Sequence, residues 1–159
     1  MLEKYSSLNN VDLVILAGGK GSRIKGHLGK YPKPMLKFNE KHFIQYILNN
    51  KSKYNFKRII ILCGFRSNII FKKFNKKKIN LTEIICIKER KLLGTGGALF
   101  NLKKLKVENF ILTNGDTVFD IDINLLIFSL KNKNIGTVAL VKNKKQKSTK
   151  LNNLSIQKN

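Results

Sequence analysis

The chain has 159 residues, of which 42% are hydrophobic, a size that suits one globular domain with a single core. Its formal net charge is +23, but only four of its 32 basic residues are arginine, which is preferred for bidentate contacts to bases and phosphates, so a nucleic-acid reader is not favoured. There is no apolar run of the roughly 20 residues that a membrane span needs and no signal peptide, so we expect a cytoplasmic protein without a membrane partner.

Strand-like and helix-like segments alternate along the chain. Apolar runs rich in Val and Ile predict buried strands at residues 11–17, 58–63, 82–87, 110–113 and 136–141. Apolar residues at helical spacing predict helices at residues 42–51, 67–74, 95–105 and 123–130. This alternation predicts an α/β fold: a doubly wound, mostly parallel open sheet with helices on both faces. Ligands of such sheets bind at the carboxyl ends of the strands.

The end of the chain differs in composition from the rest. Residues 142–159 contain no acidic and no aromatic residue, so we expect one domain over residues 1–141, followed by a basic, disordered tail. Cys63 and Cys86 each lie in an apolar run without a metal-ligand spacing, and we expect both to be reduced core residues. His42, at the start of a predicted helix, is assigned no role.

A glycine-rich loop directly follows the first predicted strand. Gly18, Gly19 and Gly21 let backbone N–H groups approach an anion, and Ser22 adds a hydroxyl donor. The dinucleotide-binding pattern G-x-G-x-x-G fails because Ile24 stands at the position of its last glycine, and the P-loop pattern fails as well. The loop therefore predicts a phosphate cradle of another kind.

Two basic side chains belong to the same long loop. Arg23 offers a planar fork suited to phosphate oxygens, and Lys33 stands between two prolines that fix the backbone on either side of it. Taken singly, each is more often a solvated surface cation. Together with the glycines, they predict a site for reacting phosphates.

The segment that begins with Leu16 and Ala17 and runs through the glycines to Arg23, with Lys33 within Pro-Lys-Pro, resembles the signature of nucleoside-diphosphate-sugar pyrophosphorylases. This family of sugar nucleotidyltransferases has a Rossmann-like fold, and the resemblance covers most of residues 11–141. It implies that residues 16–22 bind the nucleotide and its phosphates. It also implies that Arg23 and Lys33 are the catalytic residues.

A second glycine-rich segment follows the third predicted strand. Gly94, Thr95, Gly96 and Gly97 allow a flat ring to lie against the backbone, although a helix start capped by Thr95 gives the same pattern. The segment is similar to the base-recognising segment of guanylyltransferases that act on heptose or mannose 1-phosphates, which favours GTP. Those relatives have Pro where this chain has Leu92, so the choice of base stays open.

A third loop follows the fourth predicted strand and reads Asn114, Gly115, Asp116. The Asp116 carboxylate is expected at the carboxyl edge of the sheet, where a hard oxygen ligand suits Mg²⁺, although a turn aspartate is the alternative. The loop resembles the metal-binding motif of the family, which implies that Asp116 binds the metal and that Asn114 and Gly115 contact the nucleotide. Asp120 and Asp122 stay outside the site, because helix N-capping explains one of them.

The resemblance implies transfer of a nucleoside monophosphate from a nucleoside triphosphate, with GTP favoured, to a sugar 1-phosphate, for polysaccharide biosynthesis. It also implies a sugar-binding region and a second metal-binding aspartate further along. Neither is recognisable, and no Asp or Glu follows Asp122, so we expect a C-terminally truncated chain with impaired activity. A non-catalytic nucleotide-binding module or regulator is the alternative, and a basic nucleic-acid-binding protein is the weaker one. The sequence leaves the sugar and the oligomeric state open.

Overall fold

The computed structural model describes residues 8–130 and 135–139. The strands are β1 (Asp12–Ala17), β2 (Lys37–Phe38), β3 (Lys41–His42), β4 (Arg58–Cys63), β5 (Lys78–Ile79), β6 (Thr82–Lys88) and β7 (Phe110–Asn114). The α-helices are α1 (Lys25–Leu28), α2 (Phe43–Lys51), α3 (Ser67–Phe74), α4 (Gly94–Leu99) and α5 (Ile123–Phe128). Short 3-10 helices span Ser22–Ile24, Lys33–Met35, Ser52–Tyr54 and Phe100–Leu105.

The sheet has the strand order β5-β6-β4-β1-β7. Strand β1 pairs in parallel with β4 on one side and with β7 on the other, and β4 pairs in parallel with β6. The short strand β5 is antiparallel at the edge, and β2 and β3 form a separate two-stranded hairpin. The predicted α/β fold, a mostly parallel sheet flanked by helices, is confirmed.

The central strands are buried because they are continuous aliphatic runs, as strands covered on both faces require. Every residue of β1 except Leu16 is buried, and so is every residue of β4 except Arg58. On one face, Val14 of β1 and Ile60 of β4 form a core cluster with Ala98 and the 3-10 helix residue Leu102. The second glycine-rich segment is thus fixed to the sheet through α4.

The chain divides into two compact units, Met1–Asp120 and Ile121–Asn159. The first contains the sheet. In the second, α5 forms over most of the predicted helix 123–130, and the Oδ1 atom of Asp122 accepts a hydrogen bond of 2.9 Å from the Asn124 N–H. The interpretation of one of the two late aspartates as a helix cap is confirmed by this bond.

Two predicted elements differ from the structure. The helix predicted over 95–105 is α-helical only for Gly94–Leu99 and continues as a 3-10 helix, because the Phe100 N–H donates to the Gly97 carbonyl three residues before it, which tightens the helix at this point. The strand predicted over 136–141 is absent from residues 136–139, where Val138 is 69% exposed, since an apolar run forms a strand only where another strand pairs with it. Residues 140–141 and the predicted tail 142–159 lie outside the described residues.

One further expectation, on the two cysteines, agrees with the structure. Cys63 and Cys86 are buried free thiols. A hydrogen bond with Cys86, together with burial, raises the pKa of the Cys63 thiol, so Cys63 stays protonated and unreactive. Within the described ranges, no helix has both the length and the apolar character needed to cross a membrane.

Candidate active site

Strand pairing brings the first and third predicted loops together. Leu16 of β1 lies beside Asn114 of β7 in the parallel register, and the Gly115 N–H donates a 2.8 Å hydrogen bond to the Leu16 carbonyl. A Cβ on Gly115 would lie 3.0 Å from that carbonyl oxygen, so the turn after β7 needs a glycine to approach β1. The two loops therefore leave the sheet side by side at its carboxyl edge.

Lys33 and Asp116 form an ion pair at this edge of the sheet. The Lys33 Nζ atom donates to the Asp116 Oδ2 atom at 2.6 Å, and the two side chains are 39% and 33% exposed. Lys33 begins a 3-10 helix whose second residue is Pro34, and Pro32 before it is extended, with φ of −72° and ψ of 154°. The prolines thus direct a lysine onto the Asp116 carboxylate.

A cleft of about 790 Å³ opens in front of this ion pair. Its lining includes most of the residues that the sequence marked as nucleotide-binding, catalytic or metal-binding: Leu16, Ala17, Gly18, Gly19, Gly21, Ser22, Lys33, Gly94, Thr95, Asn114 and Asp116. All three predicted loops therefore meet at one cleft. A volume of this size accommodates a nucleotide.

Three of the marked residues, Gly96, Gly97 and Gly115, are not among the residues that line the cleft. Gly115 and Gly97 serve close packing, because a Cβ on Gly97 would collide with the side chain of Leu93. Gly96 is exposed and has open space around it. Arg23 lies in the 3-10 helix Ser22–Ile24, and its side chain is outside the described part of the structure.

The second loop enters the cleft through the start of α4. The helix begins at Gly94, whose φ of 74° disfavours any other residue, and Leu93 occupies the N-cap position without a side-chain cap. Thr95 is inside the first turn, so the interpretation of Thr95 as an N-cap is wrong. With its backbone already in the helix, Thr95 lines the cleft instead.

Sequence reasoning missed Gly64, which follows β4. The Phe65 N–H donates a 3.0 Å hydrogen bond to the Gly18 carbonyl, so the two glycines pack back to back. A Cβ on Gly64 would lie 2.7 Å from both the Cα and the carbonyl oxygen of Gly18. The signal was a glycine directly after a buried strand, which marks a close approach of backbone.

Sequence reasoning also assigned no role to Glu89, the first residue after β6. Glu89 lines the cleft, and its side chain lies against Gly18, where a Cβ would collide with the carboxylate. Burial raises the pKa of the Glu89 carboxyl, and a hydrogen bond from the backbone of Leu93 opposes this shift. A half-buried carboxylate with a shifted pKa at the wall of a cleft is typical of a ligand-recognition group.

The carboxylate of Asp116 fits a magnesium ion. Its Oδ1 atom is 3.2 Å from the Thr117 hydroxyl, and its Oδ2 atom contacts Lys33. No group of three or more His, Cys, Asp or Glu side chains able to hold a metal is present among the described residues. A single carboxylate suits Mg²⁺, which completes its shell with water and phosphate oxygens, and does not suit a metal that needs a full protein cage.

Comparison with known proteins decides the family. The family model for nucleotidyl transferases matches residues 13–151 of this chain. The chain belongs to the nucleotidyl transferase family. This match confirms the resemblance drawn from the glycine loop, from Lys33 between its prolines and from the segment around Asp116.

Two relatives with similar sequences carry the same name. The chain is 37% identical over 114 residues to the D-glycero-alpha-D-manno-heptose 1-phosphate guanylyltransferase of Campylobacter jejuni, an alignment that covers 71% of this chain and 51% of the relative. It is 32% identical to the enzyme of the same name from Aneurinibacillus thermoaerophilus, covering 71% of this chain and 49% of that one. The chain spans about half the length of these relatives.

A solved structure is also similar to this chain. HddC from Yersinia pseudotuberculosis, complexed with GMP-PN, superimposes with a TM-score of 0.66 and 35% sequence identity. The similarity covers 75% of this chain and 53% of HddC. The fold of this chain is therefore shared with a protein whose structure was solved in complex with GMP-PN.

Proposed function

We propose that this chain is the nucleotide-binding half of a sugar-1-phosphate guanylyltransferase. The reaction moves guanosine monophosphate from GTP to a sugar 1-phosphate and releases pyrophosphate. The observation that carries the proposal is the Lys33–Asp116 pair, held at 2.6 Å at the mouth of a glycine-lined cleft. A lysine and a carboxylate side by side supply both the cation and the metal ligand that phosphoryl chemistry uses.

The residues of the cleft would have different roles in the reaction, according to their chemistry. Backbone N–H groups of Gly18, Gly19 and Gly21 would hold the triphosphate, and the Ser22 hydroxyl would add a donor. Lys33 and Arg23 would neutralise the charge that develops on the transferring phosphate. The attacking oxygen belongs to the sugar 1-phosphate and strikes the α-phosphorus in line, so the protein needs no nucleophile of its own.

Magnesium is the cofactor that this site would take, with Asp116 as its protein ligand. When bound, the ion would offset the negative charge of the phosphates. The Lys33 ammonium is the counter-ion of the Asp116 carboxylate in this structure. Thr117, whose hydroxyl lies 3.2 Å from Oδ1, restricts the rotation of that carboxylate.

Guanine is supported by Glu89. The edge of guanine that carries N1–H and N2–H₂ presents adjacent hydrogen-bond donors, and a carboxylate accepts from both. Glu89 is a carboxylate that lines the cleft close to Gly18 and to the start of α4. The similar proteins from Campylobacter jejuni and Aneurinibacillus thermoaerophilus are both named as guanylyltransferases. Leu92 also lines the cleft and packs against Gly64, where its side chain shapes the same wall.

A second candidate function is nucleotide binding without turnover. It is favoured by one observation: residues 123–159 contain no Asp or Glu that could act as a second metal-binding carboxylate. A binding module of this kind would still hold Mg²⁺ and GTP in the same cleft. We place either form in the cytoplasm, where nucleoside triphosphates and sugar phosphates are available, in the synthesis of activated sugars for polysaccharides.

Two measurements on the whole chain test the proposal. Calorimetric titration with each of the four ribonucleoside triphosphates, with and without Mg²⁺, should show binding that prefers GTP and strengthens with the metal. Pyrophosphate release with GTP and a panel of hexose and heptose 1-phosphates then separates the two candidates. Release supports the transferase, and binding without release supports the module. Absence of magnesium-dependent nucleotide binding contradicts both.

A further inference from the structure

We infer that helix α2 is a positioning element that sets the Lys33–Asp116 pair, with the buried Lys51 as the residue that holds the Asp116 loop. The inference rests on the proposed function, since it gives the pair a role in binding magnesium and nucleotide. It concerns two contacts, one at each end of α2, which connect this helix to the two segments that carry the pair.

The first contact is at the end of α2. Lys51, the last residue of the helix, is only 6% exposed, and its Nζ atom donates a 3.0 Å hydrogen bond to the Phe119 carbonyl. Phe119 comes three residues after Asp116, in a segment, residues 117–120, that has no regular secondary structure. A side-chain donor to such a segment takes the place of the backbone hydrogen bonds of a regular element.

Lys51 breaks the pattern of its own helix. Ile44, Ile47, Leu48 and Lys51 are the buried residues of α2, and they follow the spacing of one helix face. Burial lowers the pKa of Lys51, an effect increased by Lys53 and opposed by Asp120, so the charged form is destabilised there. An apolar residue would suit this position better for stability alone. A charged residue at a buried position of a helix face is found mainly where it serves a function.

The second contact is at the start of α2. The Nδ1 atom of His42 lies 2.6 Å from the Met35 carbonyl, where a carbonyl can only accept, so His42 donates. The Phe43 N–H donates to the Leu36 carbonyl at 2.9 Å. Met35 and Leu36 directly follow the turn that carries Lys33. The Gln45 side chain accepts from the His42 N–H at 2.9 Å and closes the first turn of the helix.

These contacts make α2 a rigid spacer between two loops. The helix has nine residues, which corresponds to about 13 Å at 1.5 Å per residue. Its first turn fixes the chain beyond Lys33, and its last residue fixes the chain beyond Asp116. The separation of the two side chains is then determined by a helix instead of by two loops. Such support by neighbouring residues is what metal ligands require for affinity.

The test uses the full chain and two readouts. Lys51→Met keeps the length of the side chain and removes its donor. We expect faster hydrogen–deuterium exchange of amides 117–120 and about tenfold weaker binding of GTP with Mg²⁺. GTP binding without Mg²⁺ should change less than threefold. Lys72→Met, which removes an exposed lysine of α3, is the matched control and should behave as wild type in both readouts.

A role limited to stability would give a different result. In that case Lys51→Met would change the unfolding midpoint but would not selectively weaken the magnesium-dependent part of GTP binding. This outcome would overturn the inference. Lys51→Arg keeps a donor and should recover binding to within about threefold of wild type. If the Arg variant binds as weakly as the Met variant, the hydrogen bond to Phe119 is not the cause and the inference fails.

The outcomes also separate this inference from the proposed function. If the wild-type chain binds GTP with Mg²⁺ and Lys51→Met binds it equally well, only the role of α2 is contradicted. If the wild-type chain does not bind GTP with Mg²⁺, both are contradicted. Should Lys51→Met not fold, His42→Ala tests the other end of α2. Faster exchange of the amides of residues 33, 35 and 36 with weaker magnesium-dependent binding supports the inference, and unchanged values overturn it.

Discussion

The Lys33 Nζ atom lies 2.6 Å from the Asp116 Oδ2 atom, although 83 positions of sequence separate the two residues. Each comes from a different loop at the carboxyl edge of the sheet, and the cleft of about 790 Å³ opens beside them. A half-exposed ion pair contributes at most about 1 kcal/mol to the free energy of unfolding. The position of the pair in the cleft indicates a function, whereas its contribution to the free energy of unfolding is small.

The first prediction concerns this pair. Lys33→Met and Asp116→Asn should each weaken binding of GTP with Mg²⁺ by about tenfold or more, because each removes a charge facing the phosphates or the metal. Each should change the free energy of unfolding by less than about 1 kcal/mol, since both side chains are partly exposed. Calorimetric titration and urea unfolding measure the two quantities. A large loss of stability with unchanged nucleotide affinity would contradict the assignment.

The second prediction contrasts two glycines of the site. Gly64→Ala should lower the free energy of unfolding by roughly 1–3 kcal/mol or more, because the new Cβ would lie 2.7 Å from backbone atoms of Gly18 that cannot easily move. Gly19→Ala is the matched variant. Nothing lies within 4 Å of its Cβ, so it should fold normally but bind GTP more weakly, since the methyl group faces the cleft. Equal stability losses in the two variants would contradict this difference.

The third prediction is the pH dependence given by Glu89. Its pKa is raised in the folded state, so the native state holds that proton more tightly than the unfolded state. This residue therefore makes stability fall as pH rises from about 4.3, the ordinary glutamate pKa, through the raised value. Glu89→Gln should be more stable than wild type at pH 7, and the gain should disappear below about pH 4.

Urea unfolding of Glu89→Gln at both pH values checks this expectation. Glu108→Gln, at an exposed glutamate, is the control and should show no comparable gain at pH 7. The same Glu89 variant should lose its preference for GTP over ATP in the calorimetric titration. A variant that gains stability but keeps the full preference would remove Glu89 from base recognition.

The fourth prediction concerns a buried ion pair at the other end of β1. The Arg58 Nε and Nη2 atoms donate to the two Asp12 carboxylate oxygens at 2.8 and 2.6 Å, and the Asp12 side chain is 3% exposed. Asp12→Asn leaves the Arg58 charge without its counter-ion, so thermal or urea unfolding should show a loss of about 3 kcal/mol. Nucleotide affinity of the folded protein should stay unchanged, because Asp12 begins the strand whose other end carries the site.

Much of the fold could be predicted from local patterns. The aliphatic runs of β1 and β4 and the amphipathic spacing of α2 and α3 depend only on neighbouring residues, so their bounds were predicted to within a residue. The strand predicted over 136–141 shows the limit of such patterns. Its described part has the composition of a strand but no paired partner, and pairing depends on residues far away in the sequence.

The candidate site, like the fold, could be predicted from the sequence only in part. The sequence by itself determined which segments carry phosphate-binding chemistry, because glycines without a Cβ and a lysine between prolines act through their own backbone. Only the tertiary structure brought Lys33 to Asp116, packed Gly64 against Gly18, placed Glu89 at the wall of the cleft and buried Lys51 beneath the Asp116 loop. Those contacts depend on the order and register of the parallel strands, which no short stretch of sequence encodes.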